Sequence, residues 1–358
     1  MMNIHTVNAD ELTPTHIAVW ENIQRADPAL ASPYFRPEFT QAVASVRNDV
    51  EVGILEEGNE PVGFFPFQRG RRNVAQPVGG KMSDFQGVIV RRNVDWDPRR
   101  LLRGCGLSAW NFDHLIASQQ PLTPYQWNVV PSPYIDLSEG WENYQTNQLA
   151  SHKEWFKKSL RKLRRTEREA GPLRVELCSD SETVFQKMVE WKIQQYRRTR
   201  VPNVLGFGWT IALLERIRKA RGEGFSCVMS TLHMGDILTA VLLSMRSHDV
   251  LHTWFSAYHP DFSQFSPGIV FWLRLLEAYP KLGIRRIDLG KGPEEYKRRL
   301  MSNSVDVAEG SVDPRLVTDT VRRQWRRVYQ WARYSPLRGP LLTPARILRN
   351  MAASRSFR

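Results

Sequence analysis

The alternation of hydrophobic and polar positions is most regular over residues 250–300. β-branched and aromatic residues at 250–258 predict a strand, and a polar loop follows at 259–266. The apolar run at 269–279 is long enough for three helical turns, and 284–289 predicts a second strand. Two consecutive strands joined by a helix form a parallel pair with a right-handed crossover, so this segment predicts a strand–helix–strand unit.

The start of the predicted crossover helix carries Pro267 and Gly268. Proline at the first helical position loses no N–H that the helix needs, and glycine lets a ligand approach the backbone closely. The free N–H groups at a helix N-terminus favour an anion, most often a phosphate. These residues are also typical of an ordinary helix start, so the pattern alone leaves both interpretations open.

The remaining hydrophobic pattern predicts two similar series of elements. Each series has helices first, then adjacent strands with polar turns, then a further helix and strand, which indicates two fused copies of one α/β fold with mixed sheets. The predicted helices outside the segment above are 9–25, one that follows residues 32–39 and ends near 46, 97–107, 181–199 and 209–221, and the predicted strands are 50–56, 61–68, 85–90, 110–116, 225–233 and 237–246.

A motif follows the second strand of the strand–helix–strand unit. Asp288-Leu289-Gly290-Lys291-Gly292 ends the strand, and Tyr296-Lys297 opens a short basic helix. Together with Asp261, Ser266, Pro267 and Gly268, these residues resemble the GNAT-superfamily acyltransferases of the CelD-like and BioF2-like branch, which is related to the FemAB-like peptidyltransferases. The resemblance is good over residues 151–299 and weaker before them.

This resemblance implies a tandem GNAT-like chain with FemAB-like architecture. The expected parts are an N-terminal GNAT-like domain at 1–140, a GNAT-like acyltransferase domain at 141–312 and a basic helical tail at 313–358. The first copy has Asp95-Trp96-Asp97-Pro98 where the second has its Ser-Pro-Gly helix start, and acidic side chains there would repel a phosphate. One functional site is therefore expected, in the second copy.

The resemblance also implies an acyl-coenzyme A donor, with the pyrophosphate near Ser266, Gly268 and Ile269 and the strand-end glycines Gly290 and Gly292 close by. The loop at 264–269 departs from the common Gln/Arg-x-x-Gly-x-Gly/Ala pattern, since Pro267 and Ile269 replace its glycines. The implied reaction moves an acyl group to an amine or hydroxyl of a cell-envelope or exopolysaccharide precursor.

Acyl transfer requires removal of a proton from the acceptor and stabilisation of charge on the carbonyl oxygen. Asp288 could accept a proton or orient the acceptor, or it could cap the glycine turn. Tyr296 could donate a proton to the leaving group, and Lys297 could bind phosphate or stabilise the oxyanion.

Four further residues are candidates for binding the acceptor. His252, Trp254 and Tyr258 are predicted on one face of the first strand of the unit, because side chains alternate along a strand. Asp84, in the predicted first copy, is the fourth. Aromatic residues on a strand face are also typical of a core.

Localised positive charge suggests an anionic partner for a chain whose formal net charge is +13. The tail at 315–358 has eleven Arg and one Asp, a net charge of +10, with a helix predicted at 317–332 and scattered aromatic residues. This composition suggests an anionic membrane surface as partner. The segment 151–170 has a net charge of +5. Its Lys158, Arg161, Lys162 and Arg165 either hold phosphates or form a solvated helix face.

Three isolated cysteines fit a reducing compartment. Because the sequence has neither an apolar N-terminal run nor a membrane-length segment, we expect a cytoplasmic protein. If the tail binds lipid, the protein would be peripheral to the inner membrane face. No metal-ligand spacing occurs, so no metal site is expected.

The expected acceptor is a small molecule or saccharide. Two alternatives stay open: an aminoacyl transferase that uses charged tRNA, and a non-catalytic binding member of a polysaccharide assembly. The oligomeric state is not predicted.

Overall fold

The computed structural model describes residues 2–314, which form α-helices and β-strands in alternating groups. The α-helices are α1 (Pro14–Ala26), α2 (Pro37–Ala44), α3 (Pro98–Gly104), α4 (Gly140–Ser151), α5 (Lys153–Ala170), α6 (Glu182–Thr199), α7 (Gly208–Arg218), α8 (Pro267–Ala278) and α9 (Glu295–Leu300). The strands are β1 (Asn3–Asn8), β2 (Val50–Glu57), β3 (Glu60–Gly70), β4 (Val74–Gln76), β5 (Ile89–Val90), β6 (Ala109–Ile116), β7 (Gln126–Asp136), β8 (Leu173–Glu176), β9 (Ser226–Met234), β10 (Ile237–Ser247), β11 (Val250–Tyr258), β12 (Arg286–Asp288) and β13 (Asn303–Val312).

These helices and strands belong to two compact units. Among the described residues, the first comprises 2–30, Pro37–Val130 and 306–314, and the second comprises Ala31–Arg36 and Pro131–Val305. The functional division expected from the sequence, at residues 140 and 312, remains a prediction.

The first unit contains a mixed sheet in the order β1-β2-β3-β4-β6-β13, with β5 on β3. The β2–β3 hairpin closes through Gly58 and Asn59, whose φ angles are +57° and +70°. Two consecutive residues with positive φ match the twist of a tight antiparallel hairpin. Strand β4 pairs in parallel with β6, and β6 is antiparallel to β13. Buried aromatic residues, including Phe65, Phe67 and Trp110, fill the core of this unit.

The second unit contains the strand order β7-β12-β11-β10-β9-β8. Strands β9, β10 and β11 form an antiparallel meander, and α8 then carries the chain to β12, which is parallel to β11. The predicted strand–helix–strand unit with parallel strands is therefore confirmed. Helix α8 is apolar on most sides and contributes seven buried residues to the core, so it lies against the sheet rather than in solvent.

Helix α5 corresponds to the basic segment at 152–171 and is strongly amphipathic. Its buried residues Phe156, Ser159, Leu163 and Thr166 follow helical spacing along one stripe, while most of its Lys and Arg side chains are exposed. The helix packs against α8 and adds to the core of the second unit.

The short segment at 31–36 packs on β10 and β11 although it lies far from them in sequence. Tyr34, Phe35 and Arg36 are all buried, and the Tyr34 ring meets the His252 ring edge-on at 4.9 Å. The Arg36 guanidinium lies so close to Gly224 that a Cβ there would come within 2.4 Å of it. An N-terminal segment therefore completes the core of the second unit.

The mixed α/β fold class is confirmed, but several strands were not predicted. Strands β1, β4, β7, β8 and β13 and helix α4 carry weak local patterns. The strand predicted at 85–90 contains only β5, at Ile89–Val90. The tail helix predicted at 317–332 lies outside the described residues. Within residues 2–314, no helix combines the length and the apolar character needed to cross a bilayer.

Candidate functional site

Strands β11 and β12 separate after three paired positions, and this separation defines the candidate site. The last pair is His252 with Asp288, after which β11 continues to Tyr258 while the chain beyond Asp288 turns away. Gly290 has a φ of +71° at this turn, which favours glycine. Past His252, no strand within residues 2–314 pairs with the edge of β11 that faces β12, so an extended ligand can lie along this edge.

A bulge at Trp254 changes the faces of β11. Thr253 pairs with Ser244 and Phe255 pairs with Leu243, so the register shifts by one residue at Trp254. One extra residue reverses the alternation beyond it. His252 therefore shares a face with Phe255 while Tyr258 lies on the other, so the prediction that His252, Trp254 and Tyr258 occupy one face is wrong.

The three side chains consequently have different surroundings. His252 is fully buried against Tyr34, Trp254 is half-buried beside Phe255, and Tyr258 packs on the partly buried margin of the α5–α8 core. The structure does not bring these three rings together around one ligand.

The N-terminus of α8 carries a polar arrangement. Ser266 precedes the helix in the left-handed region, with φ +52°, and its Oγ accepts a hydrogen bond from Lys162 Nζ at 2.9 Å. Lys162 comes from α5. Of the four basic residues proposed as phosphate ligands, Lys158 and Arg161 are exposed, and Arg165 pairs with Glu169 on the helix surface. Lys162 is the member of this set that reaches the predicted anion site.

Few backbone donors remain free at this helix start. Pro267 has no N–H, and the N–H groups of Ile269 and Val270 both donate to Ser266 O, at 3.1 and 3.3 Å. Gly268 N–H has no hydrogen-bond partner among residues 2–314, and a Cβ at Gly268 would meet nothing within 4 Å. Ser266, Gly268 and Ile269 are thus adjacent, as predicted, but the open donors are Gly268 N–H and Lys162 Nζ.

The predicted acid–base residue Asp288 lies in a buried ion pair. Its side chain is 1% exposed, and Oδ1 accepts a hydrogen bond from Arg286 Nε at 2.8 Å and lies 2.7 Å from Arg286 Nη2. Oδ2 has no hydrogen-bond partner within the described chain. The Arg286 guanidinium lies over the Tyr134 ring at 4.3 Å. A carboxylate held in this way is suited to fixing the end of β12 and poorly suited to exchanging a proton with a substrate.

Lys297 closes the loop that follows β12. Its Nζ donates to Gly290 O at 3.2 Å and to Lys291 O at 3.4 Å, and it lies 3.3 Å from a Glu294 carboxylate oxygen. Gly292 lies beneath this pair, since a Cβ there would come within 2.1 Å of Glu294 Oε2 and 2.9 Å of Lys297 Nζ. The glycines and the lysine of the motif are therefore parts of one closed loop.

Tyr296 lies on the other side of this loop. Its ring stacks on Trp272 of α8, with centroids 6.5 Å apart, and burial raises the pKa of its hydroxyl well above the usual value. The hydroxyl therefore stays protonated near neutral pH. It can donate a hydrogen bond to a ligand, but it cannot act as a base there.

Lys192 of α6 was not among the predicted site residues. Its Nζ donates to Ser256 O at 3.1 Å, on the part of β11 beyond the last β12 pair, and lies 5.4 Å from the centre of the Tyr196 ring. Burial lowers the pKa of Lys192 to about 8; the Glu294 charge opposes this shift and the Lys297 charge adds to it. In the sequence, Lys192 resembles the exposed Lys187 on the same helix, so no local signal distinguishes it.

A cavity of about 230 Å³ lies along α6, the helix that carries Lys192. Arg198 Nη2 donates to the Tyr258 hydroxyl at 3.3 Å across it. The α6 residues that line the cavity follow helical spacing, so one face of α6 forms its wall. The lining residues are Trp191, Gln194, Gln195, Arg198, Tyr258 and Pro260.

Asp84 belongs to the first unit, where its carboxylate lies 3.8 Å from His114 Nε2. The other predicted site residues all lie in the second unit. Within the described part of the chain, no group of three or more His, Cys, Asp or Glu side chains is placed to hold a metal ion.

Comparisons with known proteins agree with this geometry. Residues 155–298 match the family model described as "Acetyltransferase (GNAT) domain". This range includes α5, the Lys162–Ser266 contact, the β11–β12 separation and the loop of Lys297. No curated protein matches the sequence significantly.

Two solved structures with TM-scores of 0.50 or above show the same fold at low sequence identity. FemX has a TM-score of 0.56 at 9% identity, with 89% of this chain and 99% of FemX covered. The C-terminal domain of an Agrobacterium fabrum protein described as a lysylphosphatidylglycerol synthetase has a TM-score of 0.50 at 12% identity, covering 86% and 93%. A tandem GNAT protein from the clavulanic acid biosynthesis pathway has a TM-score of 0.49 at 8% identity, covering 87% and 98%.

The expected FemAB-like architecture is confirmed by the FemX match, whereas the CelD-like and BioF2-like branch stays a prediction. The second unit thus contains a segment that matches the GNAT acetyltransferase domain model, in a chain that shares its fold with FemX.

Proposed function

We propose that this protein is an acyltransferase that moves an acyl group from acyl-coenzyme A to an amine or hydroxyl of a cell-envelope or exopolysaccharide precursor. The observation that carries the proposal is the combination of an anion site at the start of α8 with the open edge of β11. Both lie within the segment that matches the GNAT domain model.

The proposed donor fits these two features in order along its length. Gly268 N–H, Lys162 Nζ and the N-terminal end of the α8 dipole favour the pyrophosphate. The pantetheine arm contains two amides, which can pair with the unpaired backbone of β11 as an added strand does. The thioester is then directed towards the point where β11 and β12 separate. Backbone N–H groups there can polarise its carbonyl as charge develops.

The proposed acceptor fits the cavity beside α6. Trp191 and Tyr258 offer ring faces, Gln194 and Gln195 offer amide groups for hydroxyls, and Arg198 offers a cation for a carboxylate or phosphate. Ring faces together with a few placed polar groups suit a sugar that carries a negative charge.

Aminoacyl transfer from charged tRNA is the second candidate. Exposed Lys158, Arg161 and Arg164 on α5 and Arg197 and Arg200 at the end of α6 form a basic surface that could contact RNA phosphates. Neither the anion site nor the open edge of β11 excludes this donor. A non-catalytic binding role would require that neither donor is turned over.

The test is a thermal-shift and thiol-release experiment on the full chain with acetyl-coenzyme A, longer acyl-coenzyme A species and charged tRNA. A ligand that binds only the folded state raises the melting temperature. Lys162→Met should weaken coenzyme A binding about tenfold, because a charge-assisted phosphate contact is worth about 1.5–3 kcal/mol. Gly268→Asp should abolish it by placing a carboxylate against the pyrophosphate, while an acid at a helix N-terminus leaves α8 intact.

Lys158→Met is the matched control, because Lys158 lies on the same helix with an exposed side chain. It should bind the donor like the unchanged chain. A shift with tRNA alone would move the protein to the aminoacyl-transfer class. Binding without turnover of any donor would favour the non-catalytic role, and the absence of any shift would refute the acyl-donor proposal.

A further inference from the structure

The three predicted acid–base residues are each unsuited to accept the acceptor's proton. Asp288 is buried in its pair with Arg286, and Lys297 is held by Glu294 and two carbonyls. Tyr296 stays protonated near neutral pH, because burial raises its pKa. An amine or hydroxyl acceptor still has to lose a proton during acyl transfer, so the base must lie elsewhere in the site.

Lys192 has the required position. Its hydrogen bond to Ser256 O places the amine beside the unpaired stretch of β11, between that strand and the loop of Glu294 and Lys297. One helical turn further along α6, Gln195 lines the cavity proposed for the acceptor. The Lys192 amine is therefore held beside the proposed path of the donor, on the helix whose next turn lines the proposed place of the acceptor.

The groups around Lys192 leave the amine available in its neutral form. Glu294 and Lys297 act on it from the loop after β12 with opposite charges, Tyr196 contributes only a ring face, and Tyr258 on β11 is bonded to Arg198. No carboxylate within the described residues forms an ion pair with Lys192. Desolvation then dominates and lowers the pKa of the amine to about 8.

We infer that Lys192 is the general base of the transfer reaction, an inference that rests on the proposed function. As the acceptor nitrogen or oxygen attacks the thioester carbonyl, its proton passes to the neutral Lys192 amine and a C–N or C–O bond forms. The C–S bond then breaks, and the coenzyme A thiolate takes the proton from the Lys192 ammonium. The step is balanced: acceptor and acyl-coenzyme A give acylated acceptor and free thiol.

The first measurement is the pH dependence of thiol release from acetyl-coenzyme A with glucosamine and glucosamine 6-phosphate as probes. The rate of the unchanged chain should fall about tenfold per pH unit below pH 8, because only the neutral amine acts as a base. Lys192→Arg keeps the charge but cannot accept a proton, so its rate at pH 8 should fall at least 100-fold. Lys192→His should recover part of the rate, with the pH limb moved towards the lower imidazole pKa. A purely structural role would not move this limb.

Lys187→Arg is the matched control, since Lys187 lies on α6 in a surface pair with Glu190. It should retain both the rate and the profile. If Lys192→Arg also retains both, the inference is overturned while the proposed function stands. If the unchanged chain shows no melting-temperature shift with acetyl-coenzyme A, the proposed function and the inference fall together.

A second measurement decides the case without turnover of either probe. Competitive labelling with acetic anhydride across a pH series reports the pKa of a single lysine, read by mass spectrometry of the Lys192 peptide. We expect a midpoint near pH 8 and protection by acetyl-coenzyme A. A midpoint above pH 10, or labelling that acetyl-coenzyme A leaves unchanged, overturns the inference even if no acceptor has been found.

Discussion

Replacing Arg286 by methionine should strongly destabilise the second unit, because it leaves the Asp288 carboxylate buried without its partner. Methionine keeps most of the length of the side chain but removes the hydrogen bond from Nε at 2.8 Å and the ion-pair contact of Nη2 at 2.7 Å, both to Asp288 Oδ1. The loss of one partner of a buried ion pair costs about 3–5 kcal/mol. Oδ2 already lacks a hydrogen-bond partner within residues 2–314, so nothing near it compensates for the loss.

The Arg286 side chain is itself 24% exposed, which places the expected cost at the lower end, about 3 kcal/mol. Urea unfolding followed by tryptophan fluorescence measures it as a lower midpoint. With a slope of about 2 kcal/mol per molar urea, the midpoint should fall by about 1.5 M.

Two further variants make this test specific to the ion pair. Arg285→Met alters the exposed neighbouring arginine and should leave the midpoint within about 0.25 M of the unchanged chain, as surface substitutions usually do. Arg286→Met with Asp288→Asn should regain about half of the loss, because the amide carries no charge to bury. Equal midpoints for the single and double variants would refute the reasoning, since the cost would then come from lost packing on Tyr134.

Two smaller predictions concern a glycine and the thiols. Gly292→Ala should lower the free energy of unfolding in urea by only about 1 kcal/mol, because side-chain ends can move away from the new methyl group. It should nevertheless reduce the rate of acyl transfer more than tenfold, because the methyl group displaces Lys297. A normal transfer rate would contradict the role given to the loop. Ellman's reagent should label the exposed Cys178 first, and Cys105 and Cys227 only after unfolding. The reason is that burial raises the pKa of the Cys105 and Cys227 thiols to about 12. Equal labelling rates for the three cysteines would contradict that burial.

The sequence predicts those parts of the fold whose signals are local. The hairpin of β2 and β3 has its turn residues between two alternating runs, and α5 shows its buried stripe in the spacing of its apolar residues. Strand β7 was missed because Pro131 and Pro133 interrupt it, and β13 because its residues pair with β6, between 191 and 202 positions earlier in the chain. Such pairing leaves no local pattern.

The sequence predicts where the elements of the candidate site lie better than it predicts the contacts of their side chains. The Ser-Pro-Gly helix start and the glycine motif lie where expected, but the bulge at Trp254 reverses the predicted faces of β11. The pair of Arg286 and Asp288 was open to prediction, because residues two apart on a strand share a face. The role of Lys192 was not, since it depends on the carbonyl of Ser256, which only the fold brings near.

The proposed donor and acceptor halves of the site belong to different helices, and this affects how the acceptor specificity can change. The proposed donor ligands Lys162, Ser266 and Gly268 belong to α5 and the start of α8, whereas one face of α6 forms most of the proposed acceptor wall. Substitutions along that face alter the shape and charge offered to the acceptor and leave every donor contact in place. Related chains with this arrangement can therefore diverge in acceptor through a single helix while they keep one common donor, and directed evolution of a new acceptor should begin at Gln194 and Arg198.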